Sequence, residues 1–108
     1  MNYNVLTIPP FDKQFKRLVK KYPSLRAEIS QLISELKINP NIGVSLGNDC
    51  YKIRLSIASK GKGKSGGARV ITYLAFTDNN VFLLSIYDKS QQSDIEDKEI
   101  LRLLGLTR

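Results

Sequence analysis

At 108 residues the chain is one domain's worth, 42% hydrophobic and 25% charged, the composition of a folded globular protein and not of a disordered one. It has no histidine and one cysteine, which excludes a His/Cys zinc centre, Ser-His-Asp or Cys-His catalysis and an intrachain disulfide. Against 10 Asp and Glu stand 17 Lys and Arg, a net charge of +7 that favours a polyanionic partner.

The opening MNYNVLTIPPFDKQFKRL lacks a basic stretch followed by an apolar one, and no apolar run approaches the roughly 20 residues that span a bilayer, so a cytoplasmic protein is expected. Residues 3–8, YNVLTI, are β-branched and weakly alternating and read as a first strand, ended by Pro9 and Pro10. Proline is tolerated in a first helical turn. Phe11, Phe15, Leu18, Val19 and Tyr22 then form one apolar helical stripe, with Lys13, Lys16, Arg17, Lys20 and Lys21 on the outer face. Pro23 breaks this helix, Ser24 is a candidate cap, and Leu25, Ile29, Leu32, Ile33 and Leu36 repeat the spacing until Asn39 and Pro40. Two matching stripes on a minimal connection predict a helical hairpin over one face of a sheet. Residues 40–49, PNIGVSLGND, are turn-rich and read as a loop.

From Cys50 the period changes to two. Residues 50–58, 68–76 and 80–87 read as an antiparallel meander, its last turn marked by Asp78, Asn79 and Asn80. The first of these strands puts Tyr51, Ile53, Leu55 and Ile57 on one face and Lys52, Arg54 and Ser56 on the other. The second is apolar on both faces, as a central strand would be. Residues 93–105 read as a final helix, with Ser93 and Glu96 at capping-box spacing and Asp94, Glu96 and Asp97 in its first turn. The expected fold is α+β, β-α-α-β-β-β-α: an antiparallel sheet with a helical hairpin on one face and a C-terminal helix. Cys50 reads as a small buried apolar residue.

The segment 59–67, SKGKGKSGG, contains GKS but is no phosphate loop, because Ala58 stands where G-x-x-x-x-G-K-[ST] requires glycine and a strand follows instead of a helix. It reads instead as a cationic hairpin connection whose Lys60, Lys62 and Lys64 can follow a phosphate backbone, or as a solvated loop whose lysines only aid solubility. Charge distribution favours the first reading. From Cys50 to Thr77 there is no acidic residue, while Lys52, Arg54, Lys60, Lys62, Lys64 and Arg69 all fall there. Lys52 and Arg54 share a strand face, the hairpin can bring Arg69 beside them, and Tyr87 and Lys89 close the last strand. Tyr87 offers a base-stacking surface or a phenolic proton, or simply packs on the last helix.

The runs CYKIRL at 50–55, GKSGGARVI at 63–71 and LLSIYDKS at 83–90, in this order of elements, resemble the RelE/ParE superfamily of bacterial type II toxins; the GKSGGARVI run is most like its HigB-type branch. The resemblance covers nearly the whole chain and implies one toxin domain, 1–108, neutralised by a cognate antitoxin. RelE-like and HigB-like members cut mRNA on the ribosome, whereas ParE-like members inhibit DNA gyrase. By that resemblance Lys52, Arg54, Arg69 and Lys89 fall on positions of the RNA-cleaving site. Where RelE carries a C-terminal tyrosine this chain has Ile95, and the histidine that some relatives use is absent, which leaves Tyr87 as the candidate replacement.

These residues fit RNA cleavage by the ribose 2′-OH without a metal, a cofactor or a protein nucleophile. Arg54 and Arg69 would fork onto the scissile phosphate. Lys52, crowded by cations that disfavour its charged form, would serve as base. Tyr87 or Lys89 would assist proton transfer, and Lys60, Lys62 and Lys64 would anchor neighbouring phosphates. The expected partners are an antitoxin, mRNA and the ribosome, with no membrane and no small-molecule cofactor. The alternatives are a gyrase inhibitor, a noncatalytic nucleic-acid-binding module and an inactive toxin kept for regulation.

Overall fold

Pro9 and Pro10 end a short strand, β1 (Asn4–Thr7), and open helix α1 (Pro9–Lys21) in the computed structural model, which describes residues 2–60 and 66–107. Ile8, at the cap, is extended (φ −122°, ψ 158°), the geometry that a following proline favours. Helix α2 (Leu25–Ile38) follows after a three-residue break. Both helices turn their stripes inward: Phe11, Leu25, Ile29, Leu32 and Leu36 are buried, and the Phe11 and Phe15 rings stack at 5.9 Å. Ser24 does not cap α2 through its side chain. Its backbone is already helical (φ −65°, ψ −17°), and its hydroxyl instead bonds Ser59 (2.8 Å) and Glu28 (3.2 Å).

The sheet has five strands in the order β1-β5-β4-β3-β2. Strands β3 (Cys50–Leu55), β4 (Ala68–Ala75) and β5 (Asn80–Asp88) form the expected antiparallel meander, and β1 lies parallel to β5 at one edge. Strand β2 (Val44–Gly47), at the other edge, lies in the segment expected to be a loop. The turn residues there are genuine: Gly43, Gly47, Asn48 and Asp49 all have positive φ. They bracket only four extended residues, mostly exposed, which carry no alternation to read. Strand β3 stops at Leu55, short of residue 58, because the Ala58 N–H donates to Glu28 (2.7 Å) and the Ser59 N–H to Ser24 (2.9 Å), drawing the chain into a 3₁₀ turn at Ala58–Lys60.

Alternation and register give each face of the sheet its residues. Tyr51, Ile53 and Leu55 share a face with Ala68, Val70 and Thr72, and a cleft formed by Leu32 with Ile53 and Leu55 places α2 on that side. Lys52, Arg54, Arg69, Ile71 and Tyr73 point the other way. There helix α3 (Asp97–Leu104) approaches the stacked Tyr73–Phe82 pair through Leu101 and Leu104. A register shift at Ile71/Thr72 makes Leu84 an extra residue in β5, so that Leu83 and Leu84 are both buried. Helix α3 begins at Asp97 and not near 93. Ser93 is exposed, and residues 92–95 form an irregular segment held by Gln92 Nε2 donating to the Asp94 carbonyl (2.9 Å) and the Ile95 N–H to Asp94 Oδ1 (2.9 Å).

Two polar devices fix the end of β5. Beyond Thr7 the strand loses its β1 neighbour, and Gln14 Oε1 from α1 takes over, accepting the Ile86 N–H (2.9 Å) and the Ser85 hydroxyl (3.1 Å). Asp88, nearly buried, accepts from Tyr22 Oη (2.7 Å), Lys60 Nζ (2.6 Å) and both the N–H and the hydroxyl of Ser90 (2.9 and 2.7 Å). This knot joins the end of α1, the base of the β3–β4 connection and the end of β5. Among the described residues no helix is long and apolar enough to cross a membrane.

Candidate functional site

Three side chains form a row across the sheet. Arg54 on β3 pairs directly with Arg69 on β4, which pairs with Tyr87 on β5. Lys52 stands two residues along β3 on the same face, in the row of Ile71 and Ser85. Lys89 follows Tyr87 by two and is held by its N–H to the Gly67 carbonyl (3.0 Å). Like charges directly opposite one another destabilise a sheet. An Arg–Arg cross-strand pair is therefore a local cost that an anion bound between the two would relieve.

The two arginines are held differently. Arg54 is exposed. Arg69 is only 8% exposed, and its Nη1 donates to the carbonyls of Gly66 (2.7 Å) and Ala68 (3.2 Å), which fixes the guanidinium plane. Gly67 makes this possible: its φ of +58° turns the chain just before β4, and a Cβ there would strike the Leu55 carbonyl oxygen. Tyr87 is 5% exposed, and its hydroxyl has no hydrogen-bond partner among the described residues. Burial pushes its pKa up, and the nearby Asp94 carboxylate pushes the same way against the opposing pull of Arg69. Tyr87 is thus a buried hydroxyl held in its protonated form, with the Asp94 carboxylate near it.

Lys52 does not stand among cations alone. Its ammonium lies 3.3 Å from Asp94 Oδ1, with side-chain exposures of 28% and 63%. The Ile95 N–H, then Lys52 and Lys89, hold the Asp94 carboxyl below the usual carboxylate range. The sequence reading placed Asp94 in the first turn of the last helix. Because that helix starts three residues later, Asp94 instead reaches over Lys52, and no motif announces it.

Lys60 is placed away from the row. Its ammonium is 10% exposed and bound to Asp88, which is 1% exposed. Burial alone would raise the Asp88 carboxyl, but the bonds from Lys60, Ser90 and Tyr22 outweigh it and hold the group well below the usual range. The expectation that Lys60 follows a phosphate backbone therefore gives way to a buried ion pair. Lys62 and Lys64 lie outside the described residues. Ile95 packs against the core. Cys50 is fully buried and its thiol is pushed up to about 11, chiefly by desolvation, as an inert apolar residue would be. No group of three or more His, Cys, Asp or Glu side chains gathers to hold a metal among the described residues.

A family model described as the RelE toxin of the RelE/RelB toxin–antitoxin system matches residues 11–107. Among solved structures, the chain superposes on a free E. coli RelE toxin carrying two arginine-to-alanine substitutions with a TM-score of 0.66, at 18% identity over 100% of both chains. It also superposes on the intact E. coli RelBE toxin–antitoxin complex with a TM-score of 0.59, at 23% identity over 78% of this chain and 93% of that one. At such identities the likeness is one of fold, and it agrees with the expected α+β architecture.

Proposed function

The chain belongs to the RelE toxin family of type II toxin–antitoxin systems, and from that premise we propose that it is a ribosome-dependent endoribonuclease that cuts mRNA and so stops translation. The observation that supports this most is the row Arg54–Arg69–Tyr87, which sets two guanidinium groups and one protonated phenol side by side on one face.

In this reading the scissile phosphate lies against the exposed Arg54, whose fork matches its oxygens, while Arg69, held by the Gly66 and Ala68 carbonyls, adds positive charge beside it. The ribose 2′-oxygen attacks phosphorus as its proton passes to solvent. The O2′–P bond forms and the P–O5′ bond breaks, leaving a 2′,3′-cyclic phosphate. Tyr87 gives its proton to the departing 5′-oxygen, and solvent restores it. Positive charge placed where the phosphorane gains negative charge is the main contribution. Lys52 changes role from the one expected of it. An ion pair is made by the ammonium, the form that neutralises phosphate and not the form that accepts a proton, so Lys52 joins the arginines as an electrostatic group. Lys89 flanks the row, and Lys62 and Lys64 remain proposed phosphate contacts. The GKSGGARVI run keeps the HigB-like branch as our reading within the family. The partner that silences the protein is a cognate antitoxin, and the place of action is the cytoplasm, where the ribosomes are.

The test is induction of the chain in a bacterial host with transcript 5′ ends mapped over time. New 5′-hydroxyl ends within coding sequence, accompanied by loss of translation, are expected. DNA-damage signalling with intact transcripts would overturn the nuclease reading in favour of a gyrase inhibitor.

A further inference from the structure

Asp94 is an acidic side chain set among the cations of an anion-binding face. It lies on the segment between β5 and α3, bonded to Lys52 at 3.3 Å and electrostatically coupled to Lys89 and to the buried Tyr87 hydroxyl. Its Oδ1 also accepts the Ile95 N–H (2.9 Å), so the backbone of the next residue helps to orient the carboxylate. A cleft of about 300 Å³ borders the segment, lined by Gln14 and Ser85 on one side and by Gln92, Asp94, Ile95, Glu96 and Glu99 on the other.

We infer that Asp94 is an internal stand-in for an RNA phosphate, occupying the anion position on Lys52 in the free protein and displaced when a polyanion binds. The inference rests on the nuclease reading and names a self-blocking contact within the same site. A carboxylate and a phosphate oxygen ask the same thing of an ammonium group, and both cannot have it. Displacing Asp94 frees Lys52 and takes the carboxylate away from Tyr87 in a single movement, so both groups change together. The pair is partly exposed, which keeps its strength within the reach of one phosphate contact.

The test is binding of a fully 2′-O-methylated single-stranded RNA, which lacks the attacking hydroxyl and cannot be cut, measured by fluorescence anisotropy across a salt series. Asp94→Asn is expected to bind roughly two- to five-fold more tightly than wild type at low salt, the worth of one exposed ion pair. The advantage should fade as salt rises, because salt screens the exposed Lys52–Asp94 pair that the wild type has to break on binding. Glu96→Gln changes net charge equally on the same segment and should give no such gain, and the gain should be lost in a Lys52→Ala background. Equal tightening by Glu96→Gln, or a gain that survives Lys52→Ala, would reduce the effect to bulk charge and overturn the inference, as would no gain at all. If wild type cuts transcripts in cells yet Asp94→Asn binds no better, this inference alone fails. If neither chain binds RNA, this inference fails, and the nuclease reading fails with it only where wild type also leaves transcripts in cells uncut.

Discussion

Arg54 and Arg69 face each other across β3 and β4, but only Arg54 is free of the surrounding fold. Its side chain is exposed, so Arg54→Ala should leave the urea midpoint nearly unchanged while lowering the rate of RNA cleavage by about 10²–10³, the usual loss for one electrostatic stabiliser. Single-turnover cleavage of ribosome-bound mRNA at saturating protein measures this directly, and unaltered cleavage would remove Arg54 from the site. Asp88 is the opposite case. It is 1% exposed and closes a knot with Lys60, Tyr22 and Ser90. Asp88→Ala leaves the Lys60 ammonium buried without its counter-ion, an expected loss of about 3–5 kcal/mol in urea unfolding. The same group sets a pH dependence. Its folded pKa is depressed, so the unfolded state binds the extra proton, and the stability it supplies is complete well above the unfolded value of about 3.9 and is lost as pH falls through and below it. Unfolding midpoints taken from pH 6 to pH 3 should fall more steeply for wild type than for Asp88→Asn.

At the scale of elements, what was legible in the sequence is what repeats. The stripes of α1 and α2 and the alternation of β3 carry their period over enough residues to declare both the element and its buried face, which is why Lys52 and Arg54 could be placed together opposite Ile53. β2 was invisible because four exposed residues between turns carry no period. The start of α3 was misplaced because Ser93 and Glu96 have capping-box spacing while Asp94 and Gln92 hold the preceding residues in an irregular segment. The position of Asp94 over Lys52 and the capture of Lys60 by Asp88 depend on pairings across 42 and 28 residues, which local pattern does not encode. Gly67 shows how an element boundary serves the site. At φ +58° it turns the chain into β4 where Arg69 begins its two carbonyl bonds, and any side chain there meets the Leu55 carbonyl. Gly67→Ala should cost about 1–3 kcal/mol by chemical denaturation from the left-handed backbone alone, with the clash adding to it. A variant as stable as wild type would show that this turn is not constrained as described.

For the molecule as a whole, two groups of cations stand out among the described residues, and in the nuclease reading they serve different steps. One is the row on the sheet face. The other is the outer side of α1, where Lys13, Lys16, Arg17, Lys20 and Lys21 are all exposed. Charges on α1 can act at long range, drawing a polyanion toward the protein before any contact forms, and such steering is screened beyond about 10 Å at 0.1 M salt. Charges in the row act on the bound phosphate, where the surrounding protein screens them less. The two should therefore separate by salt. Replacing Lys13, Lys16 and Lys20 by glutamine should slow RNA association several-fold at low ionic strength, an effect that fades above roughly 0.3 M as the screening length shrinks, and should leave the cleavage rate of bound RNA unchanged. Arg54→Ala should do the reverse, keeping association close to wild type while the bound RNA survives. Stopped-flow association together with single-turnover cleavage, each at several salt concentrations, distinguishes the two. If the α1 variant lost cleavage of bound RNA, the reacting phosphate would lie against the helix and not against the row on the sheet.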